Sequence, residues 1–355
     1  MTPGITPGVD MPHPRCYCAI LNRLGDRARD TTGGNPARFG AKMITLRDVQ
    51  EAAVRIAPHV RKTPLLVARG LREHPYPAGT LLLKMECLQV TGSFKGRGAT
   101  NKLLSLTPAE IRRGIVTASG GNHGLAVAFV GWLGKTQATV YLPDNVSPEK
   151  ARKLERWGAK IIIKGSQWHE ANAEALEAAE RDGLTYFHPF ADPMVIAGQG
   201  TTALELLEQE PAIDEILVAI GGGGLISGIS LTAKALRPGV RVIGVEPVGS
   251  PTLLECVKAG RVVELDQITT RVPTMACRKT EAINFEIVRR YVDEIVLVSD
   301  DEMRDAAQWL WFEMGIAVDL SGAASIAALR SGKVRPGPNR KVCALVCGAG
   351  PDGIA

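Results

Sequence analysis

The sequence is short of the features that mark membranes, secretion and structural metal. No apolar run approaches the roughly 20 residues that a membrane span needs, and the N-terminus has none of the roughly 7–15-residue apolar stretch of a secretory signal. Neither sign of charge dominates: 42 Lys and Arg are interspersed with 37 Asp and Glu, for a net charge of +5. That balance argues against nucleic acid as a partner. The seven cysteines, Cys16, Cys18, Cys87, Cys256, Cys277, Cys343 and Cys347, are odd in number, include no Cys-x-x-Cys pair and have no His cluster at zinc spacing. This pattern predicts a reducing, cytoplasmic location. Repeats of solenoid length and low-complexity tracts are also missing.

What is present is an ordinary globular composition. With 45% apolar and 22% charged residues over 355 positions, the chain can bury a full core and is long enough for two lobes. Residues 1–42 are rich in Pro, Gly, Arg and Thr, carry no period of either kind and are expected to be disordered. Regular patterning starts at Thr45-Leu46-Arg47-Asp48, a capped helix start. Because Met43 directly precedes it, a second expectation is that translation naturally begins there. Beyond it, short apolar strands alternate with helix-length segments, the mark of an α/β protein with largely parallel sheets. Strands are predicted at 114–119, 138–144 and 159–164, with helices at about 123–133, 149–157 and 167–182. A second set lies at 215–220, 241–246, 294–298 and 341–346, with helices at about 201–209, 225–236, 302–314 and 321–330. The first set is expected to form a smaller lobe and the second a larger one. Their boundary falls near 189–193, where Pro189 and Pro193 are expected to interrupt regular structure. The last apolar strand lies close to the end of the sequence, which predicts no further C-terminal regulatory domain.

Three stretches carry residues suited to chemistry, two of them between a predicted strand and a predicted helix. Ile220 is followed by Gly221, Gly222, Gly223, Gly224 and Leu225, between a predicted strand and a predicted helix. Four residues without Cβ let successive N–H groups converge on one point while the helix adds its positive end, which fits a phosphate. The plain alternative is a flexible turn. The run is neither Gly-x-Gly-x-x-Gly nor followed by Gly-Lys-Ser/Thr, so a dinucleotide or nucleoside triphosphate matches poorly. Lys95, in Thr91-Gly92-Ser93-Phe94-Lys95-Gly96-Arg97-Gly98-Ala99, lies beside an aromatic and among small residues. A lysine so packed sheds its proton readily and forms imines, whereas an isolated one is ordinarily a solvated charge. Ala118-Ser119-Gly120-Gly121-Asn122-His123-Gly124 again joins a strand to a helix, with backbone donors suited to a carboxylate. His123 is read as a packing or capping residue without an acid–base role.

Together, Ser-Phe-Lys-Gly-Arg-Gly-Ala (93–99), Ser-Gly-Gly-Asn-His-Gly (119–124), Ala-Gly-Gln-Gly-Thr (197–201) and Gly-Gly-Gly-Gly-Leu (221–225) occur in one order. Over about 45–350 the chain resembles the threonine/serine dehydratase and serine racemase group of fold-type II pyridoxal-phosphate enzymes. The resemblance implies an α/β, tryptophan synthase β-like fold of two lobes, each with a mainly parallel sheet flanked by helices. In it, 43–92 and 190–355 form the larger, cofactor-binding lobe and 93–189 the smaller, substrate-gripping one. It further implies pyridoxal 5′-phosphate held on Lys95, with Phe94 packed on its ring, Asn122 at its 3′-oxygen and Gly221, Gly222, Gly223, Gly224 and Leu225 around its phosphate. Cys347 then falls beside the pyridine nitrogen. A neutral partner cannot keep that nitrogen protonated, which suits elimination better than transamination; a buried strand cysteine is the alternative. Ser119, Gly120, Gly121, Asn122 and His123 are implied to grip the substrate carboxylate.

Four departures from the group bear on the reaction. Gly120 stands where serine racemases carry a second serine, the base on the opposite face, so little racemisation is expected. Val272-Pro273-Thr274-Met275-Ala276-Cys277-Arg278-Lys279 replaces a Thr-x-Ala-Asp-Gly-like loop bordering the substrate. There Arg278 or Lys279 either meets an acidic substrate or is a solvated loop charge. Asp319 replaces a usual Glu, shortening an acid near the cofactor by one methylene. Glu246 matches one carboxylate of a divalent-cation site, but the second acidic position aligns with Thr252, which weakens such a site. The expected reaction is β-elimination from a threonine/serine-type β-hydroxy amino acid, giving a 2-oxo acid and ammonia. Phenylserine, 3-hydroxyaspartate or a hydroxyectoine-derived compound are the bulkier or acidic alternatives, and racemisation or β-replacement the less favoured reactions. A sensor that only binds its ligand does not account for Lys95, Asn122 and the glycine run occurring together. A homodimer is expected, with no nucleic-acid or membrane partner.

Overall fold

The computed structural model describes residues 44–354; the expectations for the leader over 1–42 and for a start at Met43 lie outside the described residues. The first helix, Leu46–Ile56, begins with a reciprocal cap. The Thr45 hydroxyl accepts from the Asp48 N–H, and the Asp48 carboxylate accepts from the Thr45 N–H at 2.8 Å. Val49, Ala52 and Ile56, spaced three and four apart, form the buried stripe.

The strands, in chain order, are β1 (Leu65–Val67), β2 (Thr80–Lys84), β3 (Ile115–Ala118), β4 (Ala138–Leu142), β5 (Lys160–Ile163), β6 (Thr185–Tyr186), β7 (Glu215–Ala219), β8 (Arg241–Pro247), β9 (Glu294–Val298) and β10 (Lys341–Leu345). They form a six-stranded sheet in the order β1-β2-β10-β7-β8-β9 and a four-stranded sheet in the order β5-β4-β3-β6. Every pairing is parallel except that of β1 with β2.

This order decides which strand ends meet. In the larger sheet β2, β10 and β7 are neighbours in parallel register, Lys84 opposite Leu345 and Ala344 opposite Leu217. Their carboxyl ends therefore deliver three segments to one rim: the turns leading to Lys95, the stretch at Cys347 and the run at Gly221. In the smaller sheet β3 pairs with β6, Val116 opposite Tyr186, so the turn at Ser119–Asn122 emerges beside Phe187–Phe190. Ligands in open α/β sheets collect at such carboxyl edges.

The core follows the strand pattern. Ile216, Leu217 and Val218 of β7 and Val242, Ile243 and Val245 of β8 are fully enclosed, each worth about 1.5–3 kcal/mol of apolar transfer. The smaller sheet is covered on both faces. Ile115, Val140 and Leu142 pack with Val127 and Phe129 of the helix Asn122–Leu133. Val116, Ala118 and Tyr141 face Ala171, Ala175 and Ala178 of the helix Trp168–Asp182, as the two-residue alternation requires.

Predicted and observed elements agree to within a residue or two at most ends, with one correction. Pro193 does not interrupt regular structure: it opens a helix, Pro193–Gln209, that Asp192 caps through the N–H groups of Met194 and Val195. Proline at the first helical position loses no hydrogen bond, since that N–H has no partner inside the helix. The helix expected at 201–209 thus begins eight residues earlier and takes in Ala197–Thr201. Its glycines allow two close crossings. A Cβ on Gly198 would lie 2.7 Å from the Gly98 Cα, and one on Gly200 would lie 2.9 Å from the Val49 side chain. Gly98 belongs to the helix Lys95–Leu104, so this crossing holds the helix that starts with Lys95.

The same helix is pinned by buried charge. The Arg97 guanidinium donates to Glu86 at 2.7 and 2.8 Å and to both oxygens of Glu205 at 2.8 Å. Lys84 joins from the end of β2, at 2.9 Å from Glu205. Burial opposes the charge on Glu205, yet Arg97 and Lys84 together hold its carboxyl below the ordinary value. Removing one member would leave a buried charge uncompensated, which costs about 3–5 kcal/mol.

Candidate active site

Lys95, Phe94, Asn122, His123, Gly221 to Leu225 and Cys347 line a single cavity, which Phe190, Thr274, Met275 and Ser321 complete. Lys95 is the first residue of its helix, so its backbone N–H needs no helical partner and its side chain is free to reach across. Its Nζ donates to the Pro189 carbonyl at 2.5 Å and stands 5.2 Å from the centroid of the Phe94 ring. Burial lowers its pKa from 10.5 to about 8, only partly countered by the nearby thiols of Cys347 and Cys277. An amine in that range is a usable nucleophile and base near neutrality.

The glycine run lies between β7 and the helix Gly224–Leu236. Each of its four glycines is enclosed from outside. A Cβ would come within 2.2 Å of the Phe190 ring at Gly222, 2.6 Å of the Phe190 carbonyl oxygen at Gly224, 2.8 Å of Leu253 at Gly223 and 2.9 Å of the Thr274 carbonyl oxygen at Gly221. Gly223 also has φ +96, which a larger residue rarely adopts. Asn284 fixes the outer side by donating to the Gly222 and Phe190 carbonyls at 2.9 and 3.2 Å. The Gly222 carbonyl is thus turned outward, toward protein. One turn into the helix, the buried Ser227 hydroxyl has no partner. A backbone cradle at a helix N-terminus, closed to side chains and backed by an unpaired hydroxyl, fits the phosphate of pyridoxal phosphate.

Asn122 opens its helix, and its Nδ2 donates to Asp319 Oδ2 at 2.9 Å. Asp319 in turn caps the helix Leu320–Arg330, accepting from the Gly322 N–H and the Ser321 hydroxyl at 2.7 Å each. Burial raises the Asp319 carboxyl above its ordinary value despite these donors. The shortened acid is therefore a link between Asn122 and the helix that adjoins Cys347. Gly348 is the spacer, since a Cβ there would lie 2.6 Å from Asp319 Oδ2. The Cys347 thiol donates to the Ser321 carbonyl at 3.3 Å, and burial pushes its pKa far up. It is a neutral group.

His123 is buried, with Nε2 2.9 Å from the Phe187 carbonyl, and burial first and Lys95 second lower its pKa to about 3. It is a neutral donor whose Nε2 is engaged with backbone. Ser119, Gly120 and Gly121 form the turn before Asn122, with the Gly121 N–H on Ser119 Oγ at 3.3 Å; they do not line the cavity themselves.

Sequence reasoning passed over His188. Its Nδ1 accepts from the N–H groups of Phe190 and Ala191 at 3.2 and 2.9 Å, and its ring meets Phe190 edge-on at 4.6 Å. Burial lowers its pKa to about 4. A neutral His188 thus shapes the turn that presents the Pro189 carbonyl to Lys95 and Phe190 to the glycine run. The signal was local, a histidine two and three residues before the donors it serves.

Other candidates lie off the cavity. Arg278 pairs with Glu264 at 3.1 Å and donates to the Leu265 carbonyl, on an exposed surface. Lys279 is exposed as well. Glu246 is fully buried and accepts from the Leu253 and Leu254 N–H groups at 2.7 and 3.0 Å, while burial raises its pKa to about 8. The Thr252 hydroxyl turns instead to the Cys277 carbonyl. Among the described residues no group of three or more His, Cys, Asp or Glu is placed to hold a metal.

Comparison with known proteins identifies a family. The family model for the pyridoxal-phosphate dependent enzymes matches residues 56–348. The L-threonine ammonia-lyase of Thermotoga maritima is 39% identical over 287 residues, 81% of this chain and 71% of that protein. The serine racemase of Oryza sativa is 35% identical over 309 residues, 86% of this chain and 89% of that protein. Among solved structures, maize serine racemase superposes with a TM-score of 0.82 at 32% identity, covering 87% of this chain and 94% of that one.

Proposed function

Because the chain belongs to the pyridoxal-phosphate dependent enzyme family, we propose that it removes water from a neutral β-hydroxy amino acid of the threonine/serine type, the product enamine hydrolysing to a 2-oxo acid and ammonia. The observation that carries this reading is Lys95, an amine brought to about pH 8 by burial, in one cavity with a glycine cradle, Asn122 and a neutral Cys347.

Pyridoxal phosphate, when bound, supplies a carbonyl carbon that condenses with amines and a conjugated ring that withdraws electrons from the α-carbon of a substrate. Lys95 would hold it, Gly221 to Leu225 would take its phosphate, Phe94 would pack on its ring, and Asn122 and Cys347 would face its 3′-oxygen and ring nitrogen. With its Nζ free, Lys95 would be the base that accepts the proton from the substrate α-carbon. Asn122 and His123, which line the cavity at the start of the helix Asn122–Leu133 where the dipole favours an anion, would hold the substrate carboxylate, with the turn Ser119–Gly121 behind them. The thiol of Cys347 stays neutral near neutrality, so it could not hold a ring nitrogen protonated and would favour elimination.

Two alternatives are weaker. An acidic substrate is less favoured because neither Arg278, which pairs with Glu264, nor Lys279 lines the cavity. Racemisation needs a proton donor on the second face, and Gly120 offers none. In the same reading the protein is a cytoplasmic homodimer, 93–189 acts as the substrate-gripping lobe against 43–92 and 190–355, and no divalent cation is required. A panel of L-threonine, L-serine, phenylserine and threo-3-hydroxyaspartate tests it. Release of 2-oxo acid from threonine or serine is expected, and turnover of hydroxyaspartate alone contradicts the choice of a neutral substrate.

A further inference from the structure

The segment 272–280 walls the cavity without belonging to a helix or strand, apart from one isolated bridge at Lys279. Thr274 and Met275 are its lining residues. Its backbone touches the start of the glycine run, and Thr274 Cγ2 lies 3.9 Å from where a Gly121 Cβ would sit. The segment therefore reaches from the phosphate cradle to the turn before Asn122. Its position sets the gap open to a substrate side chain.

Two residues beyond Met275, the Cys277 peptide is gripped on both sides by hydroxyls from another part of the chain. Its N–H donates to Ser250 Oγ at 3.1 Å. Its carbonyl accepts from Thr252 Oγ1 and lies 3.1 Å from Ser250 Oγ. The two hydroxyls are 3.3 Å apart and both residues are buried. Thr252 begins the helix Thr252–Ala259, and Glu246 at the end of β8 holds the next two N–H groups of that helix. Leu253, which follows, packs under Gly223. A line of contacts thus runs from the larger sheet, through Glu246 and the two hydroxyls, to the loop that carries Thr274 and Met275.

We propose that Ser250 and Thr252 are positioning residues, a hydroxyl latch on the Cys277 peptide that fixes the Thr274–Met275 wall and thereby the β-substituent the site admits. The proposal rests on the function given above for its substrate, but not for the latch itself. The Cys277 carbonyl is part-buried and takes its donors from two buried hydroxyls, so losing them loosens the loop at that peptide.

Three variants of the cofactor-loaded protein test this: Thr252→Val, which keeps the shape and removes the donor, Ser250→Ala, and Thr252→Ser, which restores a hydroxyl. Hydrogen exchange reads the latch directly. Amides of 272–280 are expected to exchange about fivefold faster in the first two variants, the worth of one neutral hydrogen bond, and at the original rate in the third. Amides of Asn122–Leu133 should not change. For 2-oxo acid formation, KM should rise about fivefold with kcat and the absorbance of the lysine-bound cofactor unchanged. Unaltered exchange in 272–280 overturns the latch, and so does faster exchange without any change in KM. Should Thr252→Val fail to fold, Ser250→Ala against the unsubstituted protein carries the same two readouts. Absence of 2-oxo acid from the unsubstituted protein would instead overturn the function, and the exchange rates would still uphold or overturn the latch.

Discussion

A lysine amine in water stays protonated to about pH 10.4, and only the neutral form adds to a carbonyl. Burial brings Lys95 to about 8, so about a tenth of it is neutral at pH 7. Cofactor-free protein mixed with pyridoxal phosphate should therefore develop its absorbance band faster as pH rises, with the half-maximal rate near about 8. A midpoint near the ordinary 10.5 would show that Lys95 is solvated. The sign for stability is the same: the folded state binds fewer protons than the unfolded one between these two values, so the cofactor-free protein gains stability as pH rises through that window. At Cys347 burial pushes the thiol far up, and since the thiolate is the reactive form, iodoacetamide at pH 7 should leave it unmodified while the protein is folded. Gly120 carries the stereochemical expectation, that racemisation of L-serine runs at less than about a hundredth of elimination without a second-face acid or base. Chiral analysis of serine recovered from the reaction checks it; comparable rates contradict it.

Among the elements, those with the plainest patterning were legible because burial wrote it. All five residues of β7 are buried, and four of the five in β10, so each is a largely apolar run that leads within two residues to Gly221 or Cys347. The helix Lys95–Leu104 left no such trace, since two of its first four residues are glycines of poor helix propensity. What holds it is tertiary: Gly98 against Gly198, and Arg97 between two carboxylates. Gly198→Ala should accordingly destabilise the protein by about 1–3 kcal/mol, the usual cost of overpacking, read from chemical denaturation. Gly222→Ala, whose Cβ would meet the Phe190 ring at 2.2 Å, should weaken cofactor binding about tenfold or more with the fold intact. The link from Asn122 to Asp319 spans 197 positions, and no local pattern announces a contact of that separation. The shortened acid stood out in the sequence, but its partner came only from the folded chain.

For the molecule as a whole, strand order turns scattered motifs into one site. Segments following β2, β10 and β7 meet at the rim of the larger sheet, and those following β3 and β6 meet at the rim of the smaller one. The fold class was readable beforehand from the strand pattern, and the motifs at 119–124 and 221–225 because each follows a strand, whereas those at 93–99 and 197–201 lie mainly in helices. The loop 272–279 was implied by resemblance to border the substrate, but sequence pointed to Arg278 and Lys279 rather than to Thr274 and Met275, because an irregular segment has no period that tells which side chains face inward. The most direct test is the absorbance spectrum of the purified protein and of Lys95→Ala, each supplied with pyridoxal phosphate and then L-threonine. The unsubstituted protein should show the band of lysine-bound cofactor near about 410–420 nm and release a 2-oxo acid. Lys95→Ala should remain folded and show neither. A band and turnover that survive in Lys95→Ala, or a folded unsubstituted protein without the band, would contradict the assignment of Lys95.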